Sequence, residues 1–263
     1  MAYNKDKIIE NYKNYDEDKR AEESRAGRLE FHYTKKHLNE YITAKSNVIE
    51  LGCGTGYYGM FFADKCAAYT GIDLSPDNIA VFHKKIAAKG IRNISAKVGD
   101  ATALPEFADS CFDVVLCLGP MYHLPQEDRL KVFDECYRIA KPGAVLAFSY
   151  INGLGAYIAA CVHDKGRSIY PNMATNKSIL ELKTDDLKPD VFFFTSSEEM
   201  ENDARQKNLE ILNNYGINFD FVSCAVNAMS DEQFEAYMEL ADIMSSSPAC
   251  LGLSAHALLL CKK

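Results

Sequence analysis

Three glycines, Gly52, Gly54 and Gly56, follow an apolar run, Val48-Ile-Glu-Leu51, and precede an apolar segment with helical spacing. Glycine admits positive φ and lets a ligand approach the backbone, while the exposed N–H groups of a helix start attract a carboxylate or a phosphate. This loop is therefore a candidate ligand cradle. Asp73, in Gly71-Ile-Asp-Leu-Ser75, lies 21 residues past Gly52 at the end of the next apolar run, where its carboxylate can accept from both hydroxyls of a ribose. Asp100 follows the third run in Val98-Gly-Asp-Ala-Thr-Ala-Leu-Pro105. Beyond the fourth, Leu118-Gly-Pro-Met-Tyr-His-Leu-Pro125 presents Tyr122 and His123, the latter an imidazole with an ordinary pKa near neutrality.

Two nucleoside ligands compete for such a cradle, a dinucleotide and S-adenosylmethionine. The dinucleotide pattern G-x-G-x-x-G, counted from Gly52, needs a glycine at 57, where this chain has Tyr57. The register is instead E-x-G-x-G-x-G from Glu50. Here the sequence resembles the class I S-adenosylmethionine-dependent methyltransferases, whose first motif ends the first strand in this form. The resemblance implies that Glu50 helps to hold the loop and the methionine ammonium end. It implies that Asp73 takes the ribose, that Asp100 accepts from the adenine amino group, and that the Ala101 N–H donates to the ring. The implied cofactor-binding set is Glu50, Gly52, Cys53, Gly54, Gly56, Tyr57, Asp73, Leu74, Asp100, Ala101, Leu118 and Gly119.

The segment after the fourth run resembles the G-P-x-Y-H-L element of a bacterial group of small-molecule methyltransferases. It lacks the [DNS]-P-P-[YFW] tetrapeptide that holds a planar amino nitrogen, so methylation of nucleic-acid bases is not expected. If the acceptor is a hydroxyl, a base beside it helps by roughly 10²- to 10⁴-fold. His123 is the candidate for that base or for a substrate hydrogen bond; the structural alternative is a cap on the helix after Pro125. Tyr122 is a candidate proton relay or a pocket wall. His163 lies in a lid-like segment. His32, His37, His83 and His256 receive no role, and no metal site is readable from them.

The elements that must position these residues follow from periodicity. Val48–Leu51, Ala67–Ile72, Ile94–Val98, Phe112–Leu118 and Ala144–Ile151 read as strands. Helices are expected over Tyr57–Cys66, after Ser75-Pro76 to Gly90, and after Pro125 to a stop at Lys141-Pro142-Gly143. Alternating strands and helices predict an α/β, doubly wound, Rossmann-like fold, which the resemblance extends to a mostly parallel seven-stranded sheet with helices on both faces. Farther on, Ser196-x-x-Glu199 predicts a capping box on a helix ending near Gly216, and Phe219–Val226 reads as a strand. Ser230-x-x-Gln233 opens another helix, and Ala255–Cys261 is a last strand.

Residues 1–45 are expected to form an N-terminal helical lid and 46–263 the methyltransferase domain, with 152–195 as a substrate-lid insertion. Their aromatics, Tyr12, Tyr15, Phe31 and Tyr33 in the first and Tyr157, Tyr170 and Phe192–Phe194 in the second, suit the wall of an apolar small-molecule pocket.

A net charge of −8 argues against a nucleic-acid partner. No apolar run is long enough to span a bilayer and the first twenty residues are too polar for a secretory leader, so a cytoplasmic protein without a membrane partner is expected. Nine cysteines, none in a C-x-x-C pair, read as reduced thiols that pack as small hydrophobes. The expected partner is a small methyl acceptor. The second function class is a catalytically silent S-adenosylmethionine- or S-adenosylhomocysteine-binding module, which would lack an open acceptor cavity. A nicotinamide oxidoreductase is third, opposed by the glycine register.

Overall fold

Seven strands form one sheet in the order β3-β2-β1-β4-β5-β7-β6. They are β1 (Asn47–Leu51), β2 (Ala68–Asp73), β3 (Ile94–Val98), β4 (Phe112–Cys117), β5 (Ala140–Ile151), β6 (Glu210–Asn218) and β7 (His256–Lys262). The first five pair in parallel, whereas β7 runs antiparallel to both β5 and β6. The computed structural model describes residues 3–13, 19, 24–163, 166, 168–181, 183 and 191–263. Tyr15 lies outside the described residues.

Side-chain alternation divides the core between the two faces of this sheet. Val48, Val114, Leu116, Ala147, Leu258 and Leu260 join one buried cluster; their neighbours Ile49, Val115, Cys117, Leu146, Leu259 and Cys261 join the other. The first face is covered by α2 (Arg25–Leu38), α3 (Tyr57–Phe62), α4 (Pro76–Lys89) and α10 (Asp231–Ser246), which contribute Leu29, Phe62, Phe82 and Ala241. The second is covered by α5 (Gln126–Ile139) and α8 (Ser197–Gln206) through Val132, Phe133, Met200 and Ala204. Arg129, fully buried, pairs with Glu199 and ties these two helices together.

The chain leaves β1 toward β2 and β3, then returns to place β4 and β5 on the other side of β1. That reversal opens a crevice beyond the carboxyl ends of β1 and β4, the place where doubly wound sheets bind ligands. The loops after β1, β2, β3 and β4 all meet there.

Several boundaries differ from the sequence expectation. Helix α3 stops at Phe62 rather than Cys66. Lys141-Pro142-Gly143 is not a helix stop: α5 ends at Ile139, and the tripeptide lies inside β5, with Gly143 at φ +80° where the pairing with β4 shifts register. The largest error is near the C-terminus. Helix α8 ends at Gln206, Asn208 adopts φ +59°, and residues expected to continue the helix to Gly216 form β6 instead. Phe219–Val226, expected as a strand, is a 3₁₀ turn (Asp220–Val222) followed by α9 (Ser223–Ala228). Strand β6 is held by pairing with the apolar β7, and this long-range partner overrides local propensity. Ser196 caps α8 by accepting from the Glu199 N–H at 3.1 Å, but the Glu199 carboxylate turns to Arg129 and Thr195, so the expected capping box is half formed. The box at Ser230 and Gln233 is complete.

Gly56 sits at φ +85° before α3, and a Cβ there would lie 2.1 Å from Cδ2 of the fully buried Phe82. Gly56→Ala therefore combines left-handed strain with overlap and should lower the unfolding free energy by about 3 kcal/mol in urea. Gly90→Ala, at φ +62° with open space around the added carbon, should cost about 1 kcal/mol. Equal losses would mean that the Phe82 contact has no part in the effect.

Candidate functional site

Backbone hydrogen bonds lock the glycine loop onto the neighbouring strand. The N–H groups of Gly52 and Cys53 both donate to the Ile72 carbonyl, at 2.7 and 3.0 Å. The Gly54 N–H donates to Asp73 Oδ2 at 2.8 Å. Gly52, Gly54 and Gly56 all have positive φ, and the space around a Cβ at Gly54 is empty to 4 Å. The loop is thus open where a ligand would approach it.

Asp73 is oriented by the start of α4. Its Oδ1 accepts from the Ser75 N–H at 2.8 Å and from Asn78 Nδ2 at 3.2 Å. A carboxylate has about four acceptor positions, so these three bonds leave room for one donor. Burial raises the Asp73 pKa above the ordinary value, and the bonds from Ser75, Gly54 and Asn78 counter that rise in part.

Glu50, at the tip of β1, is 1% exposed and accepts from the Tyr69 hydroxyl at 2.7 Å. Burial pushes its pKa up to about 8, with the Tyr69 bond opposing and the nearby Asp73 charge adding to the rise. No lysine or arginine lines the cavity among the described residues. A buried acid in such surroundings suits a cationic ligand group, and two acids with no basic residue argue against a pyrophosphate.

The cavity, about 1080 Å³ including its mouth, runs from this acidic end along the strand tips to Tyr122, His123 and Leu124. Of the sequence-expected residues, Glu50, Gly52, Cys53, Gly54, Tyr57, Asp73, Leu74, Ala101, Leu118, Gly119, Tyr122 and His123 line it. Gly56 shapes the turn from behind. Asp100 lies outside the lining, although its neighbours Gly99 and Ala101 belong to it. Its carboxylate accepts from the Thr102 N–H at 2.9 Å and the Tyr3 hydroxyl at 3.2 Å, and it pairs with Lys5. Burial raises its pKa, but Lys5 and Thr102 outweigh that and hold it below the usual carboxylate value. The adenine contact expected of Asp100 therefore competes with two side chains from the N-terminal segment.

His123 does not cap α5. It ends a 3₁₀ turn (Pro120–His123), is 7% exposed, and its Nδ1 is 2.6 Å from the Val191 carbonyl. A carbonyl only accepts, so Nδ1 carries the proton and Nε2 of the neutral ring carries the lone pair. Nε2 lies 3.0 Å from the Tyr12 hydroxyl, which must then be the donor. Burial lowers the His123 pKa to about 4, with the Val191 bond opposing, so the ring is neutral at ordinary pH. Tyr122 donates to the Leu118 carbonyl at 3.3 Å, and its own carbonyl accepts from the Phe193 N–H.

Of the N-terminal residues that line the cavity, sequence reasoning named Tyr12 and Phe31 but not Tyr3, Ile8 and Ile9. Helix α1 (Lys5–Tyr12) lies over the cavity and lends it Ile8, Ile9 and Tyr12, while Tyr3 lines it from just before the helix. Phe31 comes from α2, whose Tyr33 is instead core. Thr55, Tyr58, Ser75 and Asn78 also line the cavity; the first three lie in or beside a motif, which was the available signal, and Asn78 stands three residues past Ser75 in the first turn of α4. The described part of the 152–195 insertion does not line it. Tyr157 and Tyr170 pack on each other, and His163 meets Ser223. Only its end is near: Val191 holds His123, and the Phe192 ring lies 5.1 Å from the imidazole. Thr195 pairs with Asn152 at the sheet. His256, given no role, has its ring 5.9 Å from that of Tyr122 and its Nδ1 3.7 Å from Glu30. His37 stacks on Tyr215 and hydrogen-bonds Ser245. Among the described residues no group of three potential ligands could hold a metal, and no helix is long and apolar enough to cross a membrane.

Residues 48–143 match the family model of a methyltransferase domain. The chain is 36% identical over 120 residues to the ubiquinone biosynthesis O-methyltransferase of Pseudomonas fluorescens (strain Pf0-1), covering 45% of this chain and 50% of that protein. It thus spans about half the length of the curated relatives it matches. An S-adenosylmethionine-dependent methyltransferase from Mesorhizobium loti superimposes with TM-score 0.57 at 17% identity, over 89% of this chain and 98% of that one. The cyclase SpnF superimposes equally well, TM-score 0.57 at 18% identity, over 88% and 80%. The seven-stranded sheet is that of the S-adenosylmethionine-dependent methyltransferases, a fold that by itself does not dictate the reaction.

The Glu50 acid has a direct stability signature. Its folded pKa of about 8 exceeds the ordinary 4.5, so the folded chain keeps this proton while the unfolded chain loses it. Stability is lost as pH rises from 4.5 to 8 and levels off above. In the ligand-free protein Glu50→Gln, which can still accept from Tyr69, should be more stable than the parent at pH 9, on the order of a few kcal/mol by denaturation. The difference should vanish near pH 4; a gain independent of pH would contradict the assignment.

Proposed function

We propose that this chain is an S-adenosylmethionine-dependent methyltransferase acting on an oxygen or nitrogen atom of a small molecule, with a hydroxyl oxygen the acceptor best suited to the site. The observation that carries this reading is one cavity with Glu50 and Asp73 at one end and a neutral His123 at the other. The cofactor is S-adenosylmethionine. Glu50 suits its ammonium group, the free acceptor position of Asp73 suits a ribose hydroxyl, and the open space at Gly54 lets the ligand lie against the loop.

When bound, the cofactor supplies a methyl group on a positively charged sulfur, open to in-line attack. The chain has to align the acceptor, exclude water and receive one proton. Alignment alone is worth roughly 7 to 11 kcal/mol. Tyr57, Tyr58, Phe31 and the roof from α1 supply apolar walls for this purpose. His123 Nε2 carries the lone pair that takes the proton of a hydroxyl once the Tyr12 hydroxyl yields it, and because that proton becomes strongly acidic only as the new bond forms, a weak, neutral base suffices. Tyr122, fixed by Leu118 and Phe193, is read as the wall that orients His123.

The 36% identity over 120 residues to a ubiquinone biosynthesis O-methyltransferase supports oxygen as the acceptor atom. The acidic net charge supports a small molecule over nucleic acid. Extension of the cavity to Tyr122 and His123 supports a transferase over a silent binding module. A soluble cytoplasmic setting is part of the same proposal. Helix α1 and the end of the insertion are proposed to close the site, one over it and the other from behind His123.

Calorimetric titration with S-adenosylhomocysteine and with NAD tests the cofactor. Asp73→Ala should weaken S-adenosylhomocysteine by about 1 to 3 kcal/mol, the loss for one hydrogen bond to a buried charged partner; unchanged affinity would remove Asp73 from the site. His123→Ala should leave that affinity within about twofold and slow methyl transfer to a hydroxyl acceptor by about 10²- to 10⁴-fold. Equal rates in the two proteins would exclude His123 as the base.

A further inference from the structure

The proton inventory of His123 limits what can occupy the acceptor end. A neutral imidazole has one N–H and one lone pair. The N–H is committed to the Val191 carbonyl at 2.6 Å, and the lone pair accepts from the Tyr12 hydroxyl at 3.0 Å. Any acceptor that gives its proton to Nε2 must therefore first replace Tyr12. The group it replaces is a para-alkyl phenol, set edge-on to the imidazole with ring centroids 5.4 Å apart at 89°.

We infer that Tyr12 is a built-in stand-in for the substrate, and that the acceptor is a neutral phenol whose ring and hydroxyl take the place of the Tyr12 side chain at His123. This inference rests on the methyltransferase reading and narrows its acceptor class. Three further observations support it. Tyr12 belongs to α1, an eight-residue helix of the N-terminal segment, outside the sheet, so the stand-in can leave without breaking any strand pairing. The walls around it, including Phe31, Tyr58 and Tyr122, are aromatic and accept a flat ring. Among the described residues the lining holds the buried Glu50, the partly buried Asp73 and no lysine or arginine, which disfavours an acceptor carrying a carboxylate or phosphate. Tyr12 is thereby a specificity-determining residue that selects for compounds able to match its own contacts.

The test uses p-cresol, the side chain of tyrosine as a free molecule, titrated calorimetrically into the full chain, Tyr12→Phe and Tyr12→Ala. Each titration is run with and without saturating S-adenosylhomocysteine. Removal of the stand-in should tighten p-cresol at least tenfold in Tyr12→Ala. Tyr12→Phe, which keeps the ring but frees Nε2, should show a gain of about threefold and decides the matter if the alanine variant fails to fold. Benzoate should gain nothing. In ¹⁵N spectra of the variant that binds, p-cresol should move the His123 Nε2 resonance toward its position in the parent protein. Equal p-cresol affinity in parent and folded variants, or binding that leaves Nε2 unmoved, overturns the inference. Failure of the parent to bind S-adenosylhomocysteine would overturn the methyltransferase reading instead, while the p-cresol titrations made without it still decide the role of Tyr12.

Discussion

The hydrogen bond from the Gly54 N–H to Asp73 Oδ2 joins the two elements on which the site depends. It fixes the glycine loop after β1 against the tip of β2, and the paired donation of Gly52 and Cys53 to Ile72 keeps that loop from sliding along the strand. With the loop fixed, Glu50 and Asp73 face the same cavity, although burial raises the pKa of each. Such an arrangement is unfavourable for folding, because burial penalises both charges and neither has a basic partner in the cavity lining. Acids retained under those conditions are characteristic of a binding site, where the ligand supplies the missing positive charge and hydrogen-bond donors.

The cavity has a second constraint at its far end. His123 is held from behind by the Val191 carbonyl, a residue far from it in sequence, and this contact determines which ring nitrogen bears the lone pair. Burial then keeps the ring neutral. The N-terminal segment engages two of the sequence-expected residues, Tyr3 and Lys5 on Asp100 and Tyr12 on His123, with Ile8 buried between them. The same segment thus shields the acid after β3 and saturates the candidate base.

Legibility followed the range of the forces involved. The glycine register, Asp73 after the second strand, and the Ser75-Pro76 start with its Gly90 stop depend on backbone conformation within a few residues, and the structure has each where the spacing placed it. The central strands β1 and β4 were readable because strands buried on both faces are largely apolar runs. The C-terminal segment was not, since β6 is a polar edge strand with asparagine and glycine whose conformation is imposed by β7, forty-odd residues away. Phe219–Val226 failed for the converse reason: Phe219, just before a 3₁₀ turn, and Val226, in a short helix, are both buried, so an apolar stretch gains its burial by packing without strand pairing.

By itself, then, the amino-acid order determined the strand–loop–helix units, the conformations that only glycine adopts readily, and the acids displayed at the strand tips, because these arise from local sterics and periodicity. Tertiary structure alone decided that Ile8 and Ile9 of α1 line the cavity, that Asp100 faces Lys5 and Tyr3, and that His123 presents its Nε2 lone pair to Tyr12. Those outcomes come from contacts between residues roughly seventy to more than a hundred positions apart. Their partners are single side chains or carbonyls with no periodic signature, so nothing in the spacing of the sequence announces them.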